Sequence, residues 1–277
     1  MTPVASKFPI DPNRVDQIIR DVAKTEVMPR FRNLEARDIS EKSPNNFVTT
    51  ADIEAEKRLA QDLTALLPGS VAIGEESVED NPNLLDALNE ELPVWILDPV
   101  DGTGNFASGK ACFALIVAYC VGGETLAGWI HDPINDVTVW AIKGEGAWIG
   151  GQRLKIDGTI PIGEMSGSLG PRLRHRMCRT WGYAEDDERL MRYKCVGMEY
   201  LDLARGVLHF ARYAGKIKPW DHAAGILIHT EAGGYSQLSG GITGSYRTTA
   251  GIIDNSSLLL APNSPAWKQL HATIGEL

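Results

Sequence analysis

Twice in this chain a short apolar run ends directly in carboxylates. Val71-Ala72-Ile73 stops at Gly74-Glu75-Glu76-Ser77, and Val94-Trp95-Ile96-Leu97 stops at Asp98-Pro99-Val100-Asp101. Short apolar runs bounded by such breaks read as buried strands. A carboxylate at the end of a buried strand is costly unless something neutralises it. A third acid, Asp221, opens a helical stretch in Lys218-Pro-Trp-Asp-His-Ala-Ala-Gly225. A fold that brings these acids together needs a cation there. Mg²⁺ suits the role, because it prefers oxygen ligands, takes few protein carboxylates and keeps places for water and phosphate.

Around these runs the chain divides by rhythm. Val15, Ile18, Ile19 and Val22 mark a helix within residues 13–32, disturbed by Pro29. Thr49 to Asp52 fits a capping box for a helix with Leu59, Leu63, Leu66 and Leu67 on one face, stopped by Pro68-Gly69. Leu84 to Leu92 reads as a short helix. Cys112 to Val121, Thr125 to His131 and Val137 to Ile142 read as strands of a meander, and Gly122-Gly123 forms a turn between the first two. After Trp148 and Gly150-Gly151, α and β alternate. Helices are predicted over Asp186–Arg192, Glu199–Arg205, Asp221–Glu231 and Ala266–Ile274. Strands are predicted over Ser166–Leu169, Val207–Tyr213, Gly234–Leu238 and Leu258–Ala261. The change of rhythm places a boundary near residue 150, giving units 1–150 and 151–277 that share a cleft without a linker.

Composition narrows the function. The 277 residues carry 27 Lys plus Arg against 36 Asp plus Glu, a net charge of −9. That excludes a duplex-coating protein, which needs a basic surface. The longest apolar stretch, Ala111 to Val121, is too short to span a bilayer core of roughly 30 Å. The opening residues have no apolar core segment or small-residue cleavage site, so no signal peptide is expected. Cys112, Cys120, Cys178 and Cys195 form no C-x-x-C pair and read as reduced packing thiols in a cytoplasmic protein.

The run from Asp98 to Asn105 carries the chemistry. Pro99 fixes φ, so Asp98 and Asp101 can point from one tight turn toward a common point. Gly102 and Gly104 leave the backbone open to close approach. If a helix starts here, the N–H groups of Gly102 and Thr103 face an anion. Cation-binding acids beside an anion-binding turn suggest a phosphate ester bridged to metal; the plainer alternative is an Asp-Gly turn with helix caps. An EF-hand starting at Asp98 fails at Val100, Gly102 and Gly109. A Walker A loop is absent, and the acid spacing is not D-x-D.

Three ordered segments, Gly74-Glu-Glu-Ser77, Trp95-Ile-Leu-Asp-Pro-Val-Asp-Gly-Thr-Gly-Asn-Phe106 and Trp220-Asp-His-Ala-Ala-Gly225, resemble the signatures of the inositol monophosphatase family. The likeness extends to Lys42-Ser-Pro, Val48-Thr-Thr-Ala-Asp52, Gly144-Glu-Gly-Ala-Trp148 and Glu231-Ala-Gly-Gly234, nearly the whole chain. The resemblance implies an α/β/α/β/α sandwich, with a mostly antiparallel sheet in the N-terminal half and a mixed one in the C-terminal half. It implies a Mg²⁺-dependent, lithium-sensitive, homodimeric phosphomonoesterase with two or three metals. Glu75, Asp98 and the Val100 carbonyl would hold the first metal, Asp98, Asp101 and Asp221 the second. Glu75 and Glu76, with Asp52 nearby, would help a third. Thr103, with Glu75 or Asp52, would orient the attacking water, and the Gly102 and Thr103 amides would bind phosphate.

The substrate side departs from the family. The acid usually found seven residues before the metal Asp of the Trp-Asp motif is replaced by Ala214, among Arg212, Lys216 and Lys218. Gly197-Met198-Glu199 takes the place of a segment of smaller residues that lines the substrate site, and Glu199 is a candidate replacement acid. Arg172, Arg174, His175, Arg176 and Arg179 form either a site for a second anionic group or a solvated basic loop. His222 either touches substrate or is an exposed imidazole at a helix start. Trp129, Trp140, Trp148 and Trp181 are read as core, and His131-Asp132 as a turn. The leading expectation is hydrolysis of a small phosphorylated polyol, sugar or related metabolite, with no nucleic-acid or membrane partner. The alternatives are a nucleotide 3′-phosphatase, a histidinol-phosphate phosphatase, or a binding protein that keeps the fold without turnover.

Overall fold

A computed structural model describes residues 8–43, 46–182, 184 and 187–274. Pro44 of the Lys42-Ser-Pro stretch, the first seven residues, and Asp186, the first residue of one predicted helix, lie outside them.

The first half begins with helix α1 (Pro12–Val22), a hairpin of β1 (Ile39–Ser43) and β2 (Asn46–Thr49), and helix α2 (Thr50–Leu66). Strand β3 (Val71–Gly74) leads into α3 (Glu75–Asp80), and β4 (Val94–Asp101) leads into α4 (Thr103–Ala107). The meander follows: β5 (Ala114–Val121), β6 (Glu124–Asp132), β7 (Val137–Ile142), β8 (Gly146–Ile149) and β9 (Gln152–Arg153). The remainder comprises β10 (Gly167–Ser168), α5 (Pro171–Trp181), β11 (Leu190–Met191), α6 (Val196–Arg205) and β12 (Phe210–Ile217). It closes with α7 (Pro219–Glu231), β13 (Tyr235–Gly240), β14 (Ile253–Ala261) and α8 (Ser264–Ile274).

Strands β3 to β9 form a seven-stranded sheet in sequence order, parallel only between β3 and β4. A five-stranded mixed sheet has the order β11-β10-β12-β14-β13. Side-chain alternation sorts the strands into three cores. Trp95, Leu97, Leu115 and Val117 face Val15, Ile19, Leu59 and Leu63 of α1 and α2. Ile96, Ile116 and Ala118 face Tyr200, Leu201, Ala224 and Ile228 of α6 and α7, and from the second sheet Leu258 and Leu260. Leu259 and Ala261 on the opposite face of β14 pack on Leu173 and Met177 of α5 and Leu270 of α8. The layers are therefore α/β/α/β/α. Each fully buried large side chain contributes about 1.5–3 kcal/mol by leaving water.

Three predicted elements differ. Residues 188 and 189 form a turn running into β11, not a helix, because Asp187 accepts from the Arg189 backbone N–H at 3.0 Å and pairs with its guanidinium. The basic cluster lies on helix α5, not a loop: Pro171 is at its first position and Gly182, left-handed at φ 72°, ends it. The helix predicted over Leu84 to Leu92 is instead a 3₁₀ stretch, Pro82–Asn89, that ends before residues 90–92. Trp129 is fully buried. Trp140 and Trp148, stacked on each other, and Trp181 are half-buried. His131 and Asp132 are the last two residues of β6, and Asp132 caps the turn that follows by accepting from Ile134 N–H at 2.9 Å. The four cysteines are free thiols.

Candidate active site

Glu75 opens α3, Asp98 lies in β4, and Asp221 stands in the first turn of α7. One oxygen from each of the three lies within 4.8 Å of the others. The parallel register explains part of this convergence. Gly74 is level with Leu97, so Glu75 and Asp98 follow side by side. Helix α7 packs on the inner face of the same sheet and brings Asp221 to that edge.

Asp98 and Asp101 share a face for a reason that spacing alone does not show. Asp98 is opposite Ile116 and Asp101 opposite Ala114, three residues of β4 against two of β5. Residues three apart on a regular strand point to opposite faces. The extra residue is a β-bulge at Pro99-Val100, where proline's missing N–H costs no ladder bond. The acids therefore sit on a bulged strand, not in the tight turn predicted. Gly102 follows at φ 87°, and α4 begins at Thr103. The leading N–H groups of that helix have no upstream helical carbonyl. Gly102, Thr103 and Gly104 line the same cleft as Glu75, Asp98, Asp101, Lys218 and Asp221.

Burial pushes the Asp98 carboxyl well above the ordinary range, and Glu75, Asp101 and Asp221 raise it further. Asp221 is raised by burial and Glu75, against Lys218. Lys218 forms an ion pair with Glu75. Burial alone would lower its ammonium, but Glu75 and Asp221 outweigh burial and hold it protonated. Asp101 is also raised by burial. One of its oxygens is already engaged, accepting from Gly197 N–H at 2.6 Å and Cys195 Sγ at 2.9 Å.

Asp52 accepts from Thr49 N–H at 2.8 Å and Thr49 Oγ1 at 2.6 Å, completing the predicted capping box of α2. Its other oxygen is 3.1 Å from Thr103 Oγ1, which is also 3.0 Å from the Val100 carbonyl oxygen. Burial lifts the Asp52 carboxyl to about 6. Glu76, predicted beside a third metal, instead pairs with Lys42, which also holds Glu79 at 2.7 Å. Burial raises Glu76 to about 7 against the Lys42 bond.

Glu56, absent from the sequence-derived set, supports this cleft from behind. Its buried carboxylate accepts from Glu76 N–H at 2.8 Å and Ser77 N–H at 2.9 Å, fixing the turn that carries Glu75. Its signal was a Glu in the middle of a capped helix on the side of the buried Ala55 and Leu59. Glu231 has a similar anchoring role. It accepts from the N–H groups of Gly144 and Gly146 at 2.8 and 2.9 Å and so joins two of the motif stretches away from the acids.

A larger cavity of about 820 Å³ adjoins the cleft and shares Asp101, Lys194 and Asp221 with it. Glu199 lines it but is buried, accepting from Ser168 Oγ at 2.6 Å and Tyr193 N–H at 3.1 Å. Met198 packs on the central core and, like Gly197, is not part of the cavity wall. Ala214 is on the wall. His222 is buried, not exposed, with Nδ1 3.0 Å from Tyr200 OH; burial, with Lys218, lowers it to about 3. Of the basic cluster only Arg172 lines the cavity. Arg174 reaches the Asp187 carbonyl and Arg176 the Ile274 carbonyl, because successive helical residues point in different directions.

The sequence model of the inositol monophosphatase family matches residues 13–275. The chain belongs to the inositol monophosphatase family. A Thermotoga maritima relative named fructose-1,6-bisphosphatase/inositol-1-monophosphatase is 31% identical over 193 residues, 68% of this chain and 70% of that protein. The Nus factor SuhB of Escherichia coli K12 is 29% identical over 242 residues, 82% of this chain and 84% of its own. Among solved structures, a Thermotoga maritima IMPase superposes with a TM-score of 0.72 at 21% identity, covering 95% of this chain and 99% of that one. That last likeness speaks for the fold, and the fold is the five-layer sandwich described above. Members of this family are phosphatases that bind small phosphorylated substrates.

Proposed function

We propose that this chain is a Mg²⁺-dependent phosphomonoesterase acting on a small phosphorylated metabolite. The observation that carries the reading is the convergence of Glu75, Asp98 and Asp221 beside the opening turn of α4. The donors fit a hard cation, since all are oxygens and two are carboxyls whose ionised form is disfavoured by burial and mutual repulsion. Glu75, Asp98, Asp221, Asp101 and the Val100 carbonyl are the residues to hold Mg²⁺, with Glu76 at a third site only if it leaves Lys42. Bound there, Mg²⁺ supplies positive charge to the phosphate and makes water more acidic.

The protein's own groups do the rest. The Gly102 and Thr103 amides bind phosphate oxygens where charge builds up. Thr103 Oγ1–H donates a hydrogen bond to Asp52 or to the Val100 carbonyl and keeps lone pairs to accept from the attacking water. Asp52, raised to about 6, is poised to share that proton. Lys218 balances Glu75. The work is positioning and charge neutralisation, which dominate phosphoryl transfer. In this reading residues 1–150 contribute most ligands, and 151–277 contribute Asp221 and the substrate wall. Homodimeric assembly, lithium inhibition and a cytoplasmic setting rest on family likeness.

A panel of phosphate esters at fixed Mg²⁺ tests the assignment through released phosphate. Asp98→Asn is expected to lower turnover by several orders of magnitude, and activity within tenfold of the parent would overturn the reading. The SuhB relatives favour a second reading, a binding protein retaining the fold. Folded protein that releases phosphate from no ester would decide for it.

A further inference from the structure

The cavity beside the acidic cleft is cationic. Arg172, Arg192, Lys194, Arg212 and Lys216 line it, contributed by the start of α5, the segment before α6, and strand β12. Among the described residues none of the five forms an ion pair. Arg212 is half-buried, and its Nη2 is enclosed without any hydrogen-bond partner. A guanidinium nitrogen removed from water and left unpaired costs free energy unless an acceptor arrives.

The acids on the wall do not fill that role. Asp101 and Asp221 belong to the neighbouring cleft. Glu199 is buried, with its Oε1 already accepting from Ser168 and Tyr193, and burial raises its carboxyl toward the neutral form. Ala214 has no polar side chain where a hydroxyl acceptor would stand. A leaving group bearing only neutral hydroxyls would leave the five cations without a counter-charge. An ammonium would meet five like charges.

We propose that the ligand carries a second anionic group, a phosphate or a carboxylate, on the side away from the scissile ester, and that Arg212 and Arg172 hold it in this cavity. Arg192, Lys194 and Lys216 add to the attracting field. The proposal deepens the phosphatase reading and rests on it for turnover. In that turnover the water oxygen bonds to phosphorus as the bond from phosphorus to the alcohol oxygen breaks. The alcohol leaves with that electron pair and takes up one proton, water having given up its own, while the distal anion stays unchanged. The cavity volume, about 820 Å³, accommodates a metabolite of sugar-phosphate size.

The test uses the full chain with Mg²⁺ and three esters of one sugar scaffold: a monophosphate with a neutral tail, a bisphosphate, and a monophosphate ending in carboxylate. Phosphate release gives kcat/KM for each, and calorimetry gives binding. The doubly anionic esters are expected to be favoured at least tenfold. Arg212→Gln should shrink that preference by about tenfold to a hundredfold, the scale of a lost charge-assisted hydrogen-bond set, mainly through KM. Arg172→Gln changes an exposed residue and should shrink it in the same direction, so a folding defect in the first variant does not leave the question open. Preference for phosphate over carboxylate, or the reverse, identifies the distal group. A preference unchanged in both variants, or a parent that favours the neutral tail, would overturn the proposal. Tight, Arg212-dependent binding of the bisphosphate without release would keep the anion site and remove the hydrolytic reading.

Discussion

The acidic cleft and the cationic cavity share a wall and solve opposite problems. In the cleft, like charges are buried together and held by backbone: the bulge at Pro99-Val100, the Glu56 bonds to the start of α3, and the first turn of α7. In the cavity, like charges sit on long side chains from three segments, mostly exposed, with no ion pairs among the described residues. Each is suited to a different occupant. A rigid set of carboxylates suits a small ion of fixed geometry. Cations on long, mostly exposed side chains suit a larger anion.

Removing Mg²⁺ attacks the cleft alone and should have the largest effect. Chelation is expected to abolish phosphate release and to lower the melting temperature relative to protein with excess Mg²⁺, since an ion bound only by the native state stabilises it. Glu75→Gln comes next, with a loss of about a thousandfold in kcat and no loss of folding. An equal loss of activity on adding only moderate salt would contradict the assignment of the metal to the cleft.

Gly74→Ala breaks the cleft's rigidity without touching a ligand. A Cβ at Gly74 would stand 2.3 Å from the Glu56 carboxyl. The substitution should cost about 1–3 kcal/mol in denaturant unfolding, as overpacking does, and raise the Mg²⁺ concentration needed for half-activity. Unchanged Mg²⁺ dependence would mean that Glu56 does not support the site. Salt probes the other side. Raising ionic strength from about 0.05 to 0.5 M should weaken KM for a doubly anionic ester several-fold more than for a neutral-tailed one, because exposed cations are screened.

The smallest effect concerns pH. Burial lowers His229 to about 3 and His131 to about 4, below the ordinary value near 6.5. Between those values the unfolded chain binds more protons than the native one, so stability present above about pH 6.5 is lost as pH falls toward 4. Both ring nitrogens of His229 lack partners, so His229→Leu should flatten the fall in melting temperature between pH 7 and 5. An unchanged slope would place the loss elsewhere. His222, lowered to about 3, adds no positive charge over that range to that of the Arg and Lys side chains in the cavity.

Much of the cleft was legible because its signals are local. Acids at the ends of apolar runs, and Thr49 followed three residues later by Asp52, are read within one element. The signals that were misread depend on partners. Asp98-Pro-Val-Asp101 looks like a turn until β5 pairs with it and makes it a bulge. The Arg-rich stretch looks like a loop, although Pro171 and Gly182 marked both ends of a helix. Glu76 also has a partner that sequence order hides, Lys42, more than thirty residues earlier. His222 follows a ligand acid and reads as exposed, yet the packing of α7 against Tyr200 and Tyr213 buries it.

Carboxylates at the ends of apolar runs, a glycine-rich stretch after Asp101 and the absence of an acid at position 214 are readable without coordinates. Those properties are carried by residue type and order. Which carboxylates meet depends on the packed fold, because Glu75, Asp98 and Asp221 come from three elements and converge through strand register and helix packing. So does the lining of one cavity by five cations from separated segments. Charges distant along the chain act together only where the fold removes the water between them.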